Sequence, residues 1–249
     1  MSQDKKEQLE EQVLSKAAEI GLSTQLDEVD TLDVDVRTDV FKILQGQVDS
    51  VSVTGKGLVQ KDIRVEEIEI HVDNIAIDIL SAIFGEFELD QPTDATARVV
   101  LTEQDINRAL NSEYVRSKLS PLELNVDGEL ATIELQLPVE VKLPGDGKMV
   151  CSGEMLLHES SHTQQIGFIG VIHPRTSKQP LLLEAFSCTP GQGISLELNI
   201  ALMQKAKELL SLPYYEIQGT AFRIKDMEVQ KGSLTVQVEA HLQTLSFEQ

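Results

Sequence analysis

At 249 residues, with 41% hydrophobic and 25% charged side chains, the chain can fill one large domain or two small ones and bury a sizeable core. Its 21 Lys and Arg face 41 Asp and Glu, a formal net charge of -20. That balance excludes a protein that tracks nucleic-acid phosphates through a basic stripe, and loose electrostatic docking on an anionic membrane. Aromatics at 4%, with no Trp, leave few platforms for stacking bases or sugars.

Residues 4–20 place Leu9, Val13, Ala17 and Ile20 at helical spacing among Glu and Lys, and Gly21 is expected to end that charged helix. The period then becomes two: Leu32, Val34 and Val36 alternate with Asp33, Asp35 and Arg37, as on a strand with one wet face. The carboxylates at 27–39 lack the glycine and closing Glu of a calcium loop. Asp39 to Gln45 reads as a short helix closed by Gly46. Alternation at Val51 and Val53 breaks at Gly55-Lys56-Gly57 and continues through Ile63 and Val65. Beyond Glu66-Glu67 the apolar set moves to Ile68, Ile70 and Val72, and beyond Asn74 to Ile75, Ile77 and Ile79. Each change of parity predicts a β-bulge.

Ala95, Ala97, Val99 and Leu101 form the next strand, and Thr102 caps a helix over 103–118 with Asp105 in the capping-box position. Ile106, Ala109, Leu110 and Tyr114 share one side of it. Strands follow through 122–143, with a turn at 144–147, strand-like sequence over 149–172 and another turn at 189–193. A second helix is predicted over 199–212, and strands over 217–238 turn at Lys231-Gly232. Strands run consecutively, so the fold class is α+β with one antiparallel sheet over 48–101, 122–143 and 217–238.

The sharpest chemical string is His158-Glu159-Ser160-Ser161-His162, which matches H-E-x-x-H, with Glu184 a nominal third ligand. Positions 158–165 carry no apolar residue and form helix poorly, so a polar loop or strand edge is expected and no metal site. No nucleophile elbow, Walker lysine loop or dinucleotide fingerprint is present. Cys151 and Cys188 stand beside strands without a His-Asn set and read as small hydrophobes. The chain does not read as an enzyme, and no cofactor is expected. With no hydrophobic segment after its charged start and no apolar run near ~20 residues, it is expected to be cytoplasmic.

The order Leu44-Gln45-Gly46, Ser50-Val51, Val53, Gly55, Gly57-Leu58, then Val65-Glu66-Glu67-Ile68, Phe84-Gly85, Leu89, Pro92 and Ala95 is distinctive. So is Val100-Leu101-Thr102-Glu103 leading into Asp105-Ile106-Asn107-Arg108-Ala109-Leu110-Asn111-Ser112, and the close at Gly219 to Leu234. Over residues 30–245 this pattern resembles the LmeA-like phospholipid-binding family of bacterial domains, and its cyanobacterial branch in particular. The resemblance implies a tubular lipid-binding fold, a strongly curved antiparallel sheet wrapped around helices with an apolar channel between. Here a charged helical segment (1–26) precedes a single domain (27–249), where exported members carry a signal or anchor.

The resemblance supplies no catalytic residues. It implies a protein that binds, and can transfer, a phospholipid or another acyl-chain amphiphile in a hydrophobic groove. Ile68, Ile70, Val72, Ile75, Ile77 and Ile79 are expected to line one wall, with Ile106, Ala109 and Leu110 opposite. Arg108 and Arg116 read as solubilising residues rather than a phosphate site. The expected partners are the lipid and, transiently, a membrane; no nucleic acid is expected and no protein partner is indicated. The alternative is an acidic interaction scaffold with a filled core and no lipid.

Overall fold

The computed structural model describes residues 2–76, 89–118, 120–126, 128–159, 162–189, 195–210, 215–217 and 220–242. The chain begins with α1 (Ser2–Ser23), β1 (Thr31–Arg37), the single turn α2 (Val40–Ile43), and the long hairpin of β2 (Gln47–Gln60) and β3 (Ile63–Ala76). Next come β4 (Thr93–Thr102), α3 (Glu103–Leu110) and α4 (Glu113–Lys118). A meander follows: β5 (Leu122–Val126), β6 (Glu129–Gly145), β7 (Lys148–His158), β8 (Thr163–His173) and β9 (Leu182–Thr189). The chain closes with α5 (Leu196–Leu210), β10 (Tyr215–Ile217), β11 (Thr220–Gln230) and β12 (Ser233–Leu242).

All pairings are antiparallel, and the sheet curls as a half-barrel with a few helices against it. The α+β class with curved antiparallel sheet is therefore the observed one. The strands divide into two sheets rather than the expected one: seven in the order β1-β2-β3-β4-β12-β11-β10, and five in the order β5-β6-β7-β8-β9. The strands of the meander pair only with one another, in chain order, which leaves the C-terminal strands to return beside β4.

Several local expectations change. Helix α1 runs through Gly21, where an added Cβ would meet nothing, so that glycine neither breaks nor caps the helix. The expected 103–118 helix divides, because the Ser112 hydroxyl accepts from the Val115 N–H and starts a new helix. Helix α5 starts at Leu196, with the Ser195 hydroxyl accepting from the Leu198 N–H. Strand β2 continues through Gly55-Lys56-Gly57; at Gly57 (φ 59°) the Asp30 carboxylate occupies the space a Cβ would need. The β2–β3 register is constant from Gln47↔Ala76 to Gln60↔Ile63, so neither Glu66-Glu67 nor Asn74 is an inserted residue. At Glu66-Glu67 the apolar residues change faces of a regular strand, and Asn74 takes a left-handed φ of 53° without a register shift. The register shifts that do occur lie in β6–β7, β8–β9 and β11–β12.

The constant register lines up the seven-stranded sheet in rows. One runs Val36–Val51–Val72–Ala95–Ala240–Phe222, the next Val34–Val53–Ile70–Ala97–Val238–Ile224, and a third Leu32–Gly55–Ile68–Val99–Val236–Met227. Residues directly opposite one another share a face, so these rows form an apolar surface six strands wide. The alternate rows are polar, as in Asp35–Ser52–His71–Thr96–Glu239–Arg223.

Helix α3 joins the two sheets. Its polar stripe at four-residue spacing treats the free edge of β6 as a neighbouring strand would. Asn107 Nδ2 donates to the Val141 carbonyl at 2.7 Å and its Oδ1 accepts from the Val141 N–H at 2.7 Å. Asn111 makes the same pair of bonds with Val139, both at 2.9 Å, and Glu103 Oε2 accepts from the Leu143 N–H at 2.6 Å. The adjacent stripe, Ile106 and Leu110, packs on a cluster from both sheets: Val141 and Leu143 with Met227, Val229 and Leu234. A second cluster, Leu124, Ile133, Met155, Leu157 and Ile166, is covered by Leu198 and Leu202 of α5.

Removing one of these amides leaves a backbone N–H and a C=O of β6 without partners, at about 1–3 kcal/mol per buried group. Asn107→Ala and Asn111→Ala should each lower stability by about 2–4 kcal/mol, read as a lower urea midpoint at unchanged slope. A loss under about 0.5 kcal/mol would mean that water satisfies the edge equally well.

Candidate functional site

The apolar rows of the large sheet are not uniformly covered. Val34, Val36 and Ala95 are buried, whereas Val51, Val53, Ile68, Ile70, Val72, Ala97, Val99, Val236 and Val238 are only half-buried. In the five-stranded sheet, Val141–Cys151–Gly170–Phe186 aligns in the same way, and Phe168 stacks on Phe186 at 6.2 Å between centroids. Cys151, Phe168 and Phe186 are half-buried as well. Because Val236, Ile224 and Cys151 all border the junction cluster, the apolar surface passes from one sheet to the other. This half-buried apolar stretch, between the buried β1 side and the junction cluster, is the candidate trough.

Within it the expected wall residues separate. Ile68, Ile70 and Val72 stand on the half-open rows, while Ile75, beyond Asn74, is buried opposite Val48. Ile106 and Leu110 pack on the junction cluster, and Ala109 is half-buried beside them. Ile77 and Ile79 lie outside the described residues. The same rows also cross β2, β4, β11 and β12, which alternation does not reveal, since it shows which residues share a face but not which strands become neighbours.

Helix α3 is held at the mouth of a polar cleft of about 500 Å³ that includes Arg64, Glu66, Gln104 and Arg108. Asp105 is buried there. Its backbone N–H donates to Thr102 Oγ1 at 3.1 Å, and its carboxylate accepts from the Thr102 N–H at 3.4 Å, completing the capping box. Arg64 Nη1 reaches Asp105 Oδ2 at 3.2 Å and Glu66 Oε2 at 2.6 Å, and the bond to Glu66 raises its already high pKa. Arg108 lies 3.7 Å from Asp62, so cations and carboxylates here answer one another. A second cleft, about 470 Å³, lies over the polar rows, lined by Ser52, Glu69, His71, Arg98, Lys225 and Glu239 among others.

Ser52 and His71 of that cleft form a chain with Asp73 beside it: Ser52 Oγ to His71 Nδ1 at 2.9 Å, and His71 Nε2 to Asp73 Oδ1 at 3.1 Å. A nucleophilic serine also needs donors aimed at a developing oxyanion. Here β2 and β3 are paired on both sides, so their backbone N–H groups are committed to ladders, and the histidine is half exposed. Ser52 and His71 are cross-strand partners, and Asp73 a neighbour on the same strand, on a wet face.

Of the H-E-x-x-H string, His158 ends β7, and Glu159 and His162 lie outside any helix, His162 just before β8, in line with its composition. His158 faces Thr163 at 3.1 Å and Glu134 at 3.5 Å, while His162 faces Glu159 at 2.8 Å. Glu184 is bound instead by Lys148 and His173, at 3.0 and 2.7 Å, which hold its carboxyl below the usual range. Burial pushes the Cys151 and Cys188 thiols up, away from the reactive thiolate. Among the described residues no helix is long and apolar enough to cross a membrane, a statement that leaves β-barrels aside.

No curated protein and no solved structure matches the chain significantly. A family profile does, over residues 5–239, and the span includes α1 as well as both sheets. With that match covering nearly the whole chain, the protein belongs to the LmeA-like phospholipid-binding family.

Proposed function

We propose that this chain binds the acyl chains of a phospholipid or similar amphiphile along the half-open apolar rows and acts without catalysing a reaction on it. The observation that carries the reading is the half-burial of the aliphatic rows between two packed ends. An ordinary core closes on such residues, since each exposed methylene forgoes about 0.8 kcal/mol of burial. Aliphatic chains laid on Ile68, Ile70, Ala97 and Val99 complete the surface without asking for any directional partner. The contribution of a two-chain lipid is on the order of 10 kcal/mol before ordering costs, at about 25 cal/mol per Å².

Headgroup selection is weak in this account, because the cations near α3 already face carboxylates. The two free, half-buried thiols suit a reducing compartment such as the cytoplasm, and a lipid carrier there works by transient contact with a membrane.

Ala97 sits on a half-open row between Ile70 and Val238. Ala97→Phe keeps a strand-compatible residue but fills the trough, so lipid seen by native mass spectrometry of the wild type should fall at least tenfold with the circular dichroism spectrum unchanged. Equal lipid content in a folded variant would place the ligand elsewhere. The histidines provide a second check. Equimolar zinc should leave the melting temperature of the wild type and of His158→Ala/His162→Ala the same; stabilisation of the wild type alone would instead indicate a metal site.

A further inference from the structure

The turn between β1 and β2 exposes two large apolar side chains three residues apart: Phe41 is 77% and Leu44 71% exposed. Asp39 Oδ1 accepts from the Lys42 N–H at 2.9 Å, and Gly46 (φ 73°) returns the chain into β2, so α2 is held as a formed turn. Its position is fixed by register. Arg37 pairs with Ser50 and Gln47 with Ala76, so residues 38–46 project past the end of the seven-stranded sheet. At that end the first apolar row, Val36–Val51–Val72–Ala95, begins. The apolar projection thus lies at the same end of the sheet as the first of the rows proposed to hold acyl chains.

We infer that Phe41 and Leu44 are the bilayer-contacting tip through which lipid enters and leaves the trough, and that the surface they recognise is one without net negative charge. This inference rests on the lipid-binding reading and adds where the membrane is met. A two-chain lipid has almost no monomer in water, so a carrier must touch the bilayer, and side chains that enter the interface supply that affinity. The charge at the tip decides the kind of bilayer. Arg37 is paired with Asp35 at 2.9 Å, Lys42 with Asp49 at 2.5 Å, and His241 with Asp94 at 2.8 Å, while Asp39, Asp73 and Asp90 add carboxylates to the same end. An anionic surface would repel this end, whereas zwitterionic or uncharged headgroups would accept it.

The test uses the full chain, Phe41→Asp/Leu44→Asp, and the milder Phe41→Ser/Leu44→Ser. Transfer of a fluorescent phospholipid is followed from phosphatidylcholine vesicles and from vesicles enriched in phosphatidylglycerol. Binding of short-chain phosphatidylcholine below its micelle concentration reads the trough without a bilayer. The expected result is transfer slowed roughly tenfold or more in both variants, with short-chain binding retained within about twofold. Wild-type transfer should also be slower from the anionic vesicles. Unchanged transfer in the variants overturns the tip, as does faster transfer from anionic vesicles. So does a variant that changes only the protein's mass in solution, which would make the patch a contact between copies of the chain. A wild type that does not bind the short-chain lipid fails the underlying lipid reading instead, and the two failures are distinguishable.

Discussion

The pairing of helix α3 with the edge of β6 is the constraint on which the two-sheet arrangement depends. A half-barrel built from two antiparallel sheets has strand edges to satisfy, and an unpaired edge in a partly apolar setting is both costly and prone to association. Asn107 and Asn111 solve this with side-chain amides, which carry the same donor and acceptor as a peptide group. The helix is fixed at its start by Asp105, which holds Thr102 and meets Arg64 of β3. The Glu103 N–H donates to the Gly232 carbonyl, and the Gly232 N–H to that of Leu143, so the β11–β12 turn is tied into the same knot. Helix α1 uses a smaller version of the device at the opposite edge, where Ser15 Oγ accepts from the Val36 N–H. Edges closed by helices free the sheet faces for another use.

That use follows from the asymmetry of the large sheet. Its polar rows answer themselves across strands: Lys56 holds Glu67 at 2.8 Å and pulls its carboxyl down, Arg98 bridges Glu67 and Glu69, and His71 sits between Ser52 and Asp73. The apolar rows answer nothing directional and are only half covered in the middle. A ligand made of hydrocarbon meets such a surface without desolvating a polar group, whereas a sugar or nucleotide would leave its hydrogen bonds unmade. The membership of the phospholipid-binding family and the shape of this face therefore point the same way.

Much of this was legible in the sequence because antiparallel strands with one wet face write their geometry as alternation. Val34 and Val36, Ile68 to Val72 and Ala95 to Val99 were placed on strands from that pattern alone, and Thr102 and Asp105 announced the start of α3. The division into two sheets was not legible, since it depends on β12 choosing β4 as its neighbour across a long stretch of chain. Nor was the role of Asn107 and Asn111: their four-residue spacing put them on one helix face, but only the position of β6 turns that face into an edge cap. Ile106 and Leu110 illustrate the same gap, as their apolar face was read correctly while its partner, the junction between sheets, could not be. The bulges expected at Glu66-Glu67 and Asn74 failed because a change of hydrophobic parity has two causes, an inserted residue or a change in which face is covered, and here it is the second.

The central claim is that acyl chains lie on the half-open rows. It is tested most directly by loading the protein with a phospholipid carrying a photoactivatable diazirine near the end of its acyl chain, irradiating, and mapping the labelled residues by mass spectrometry. Label concentrated on Ile68, Ile70, Val72, Ala97 and Val99 is the predicted result. Label on the polar rows around Ser52 and His71, or spread over the surface in proportion to exposure, would contradict it.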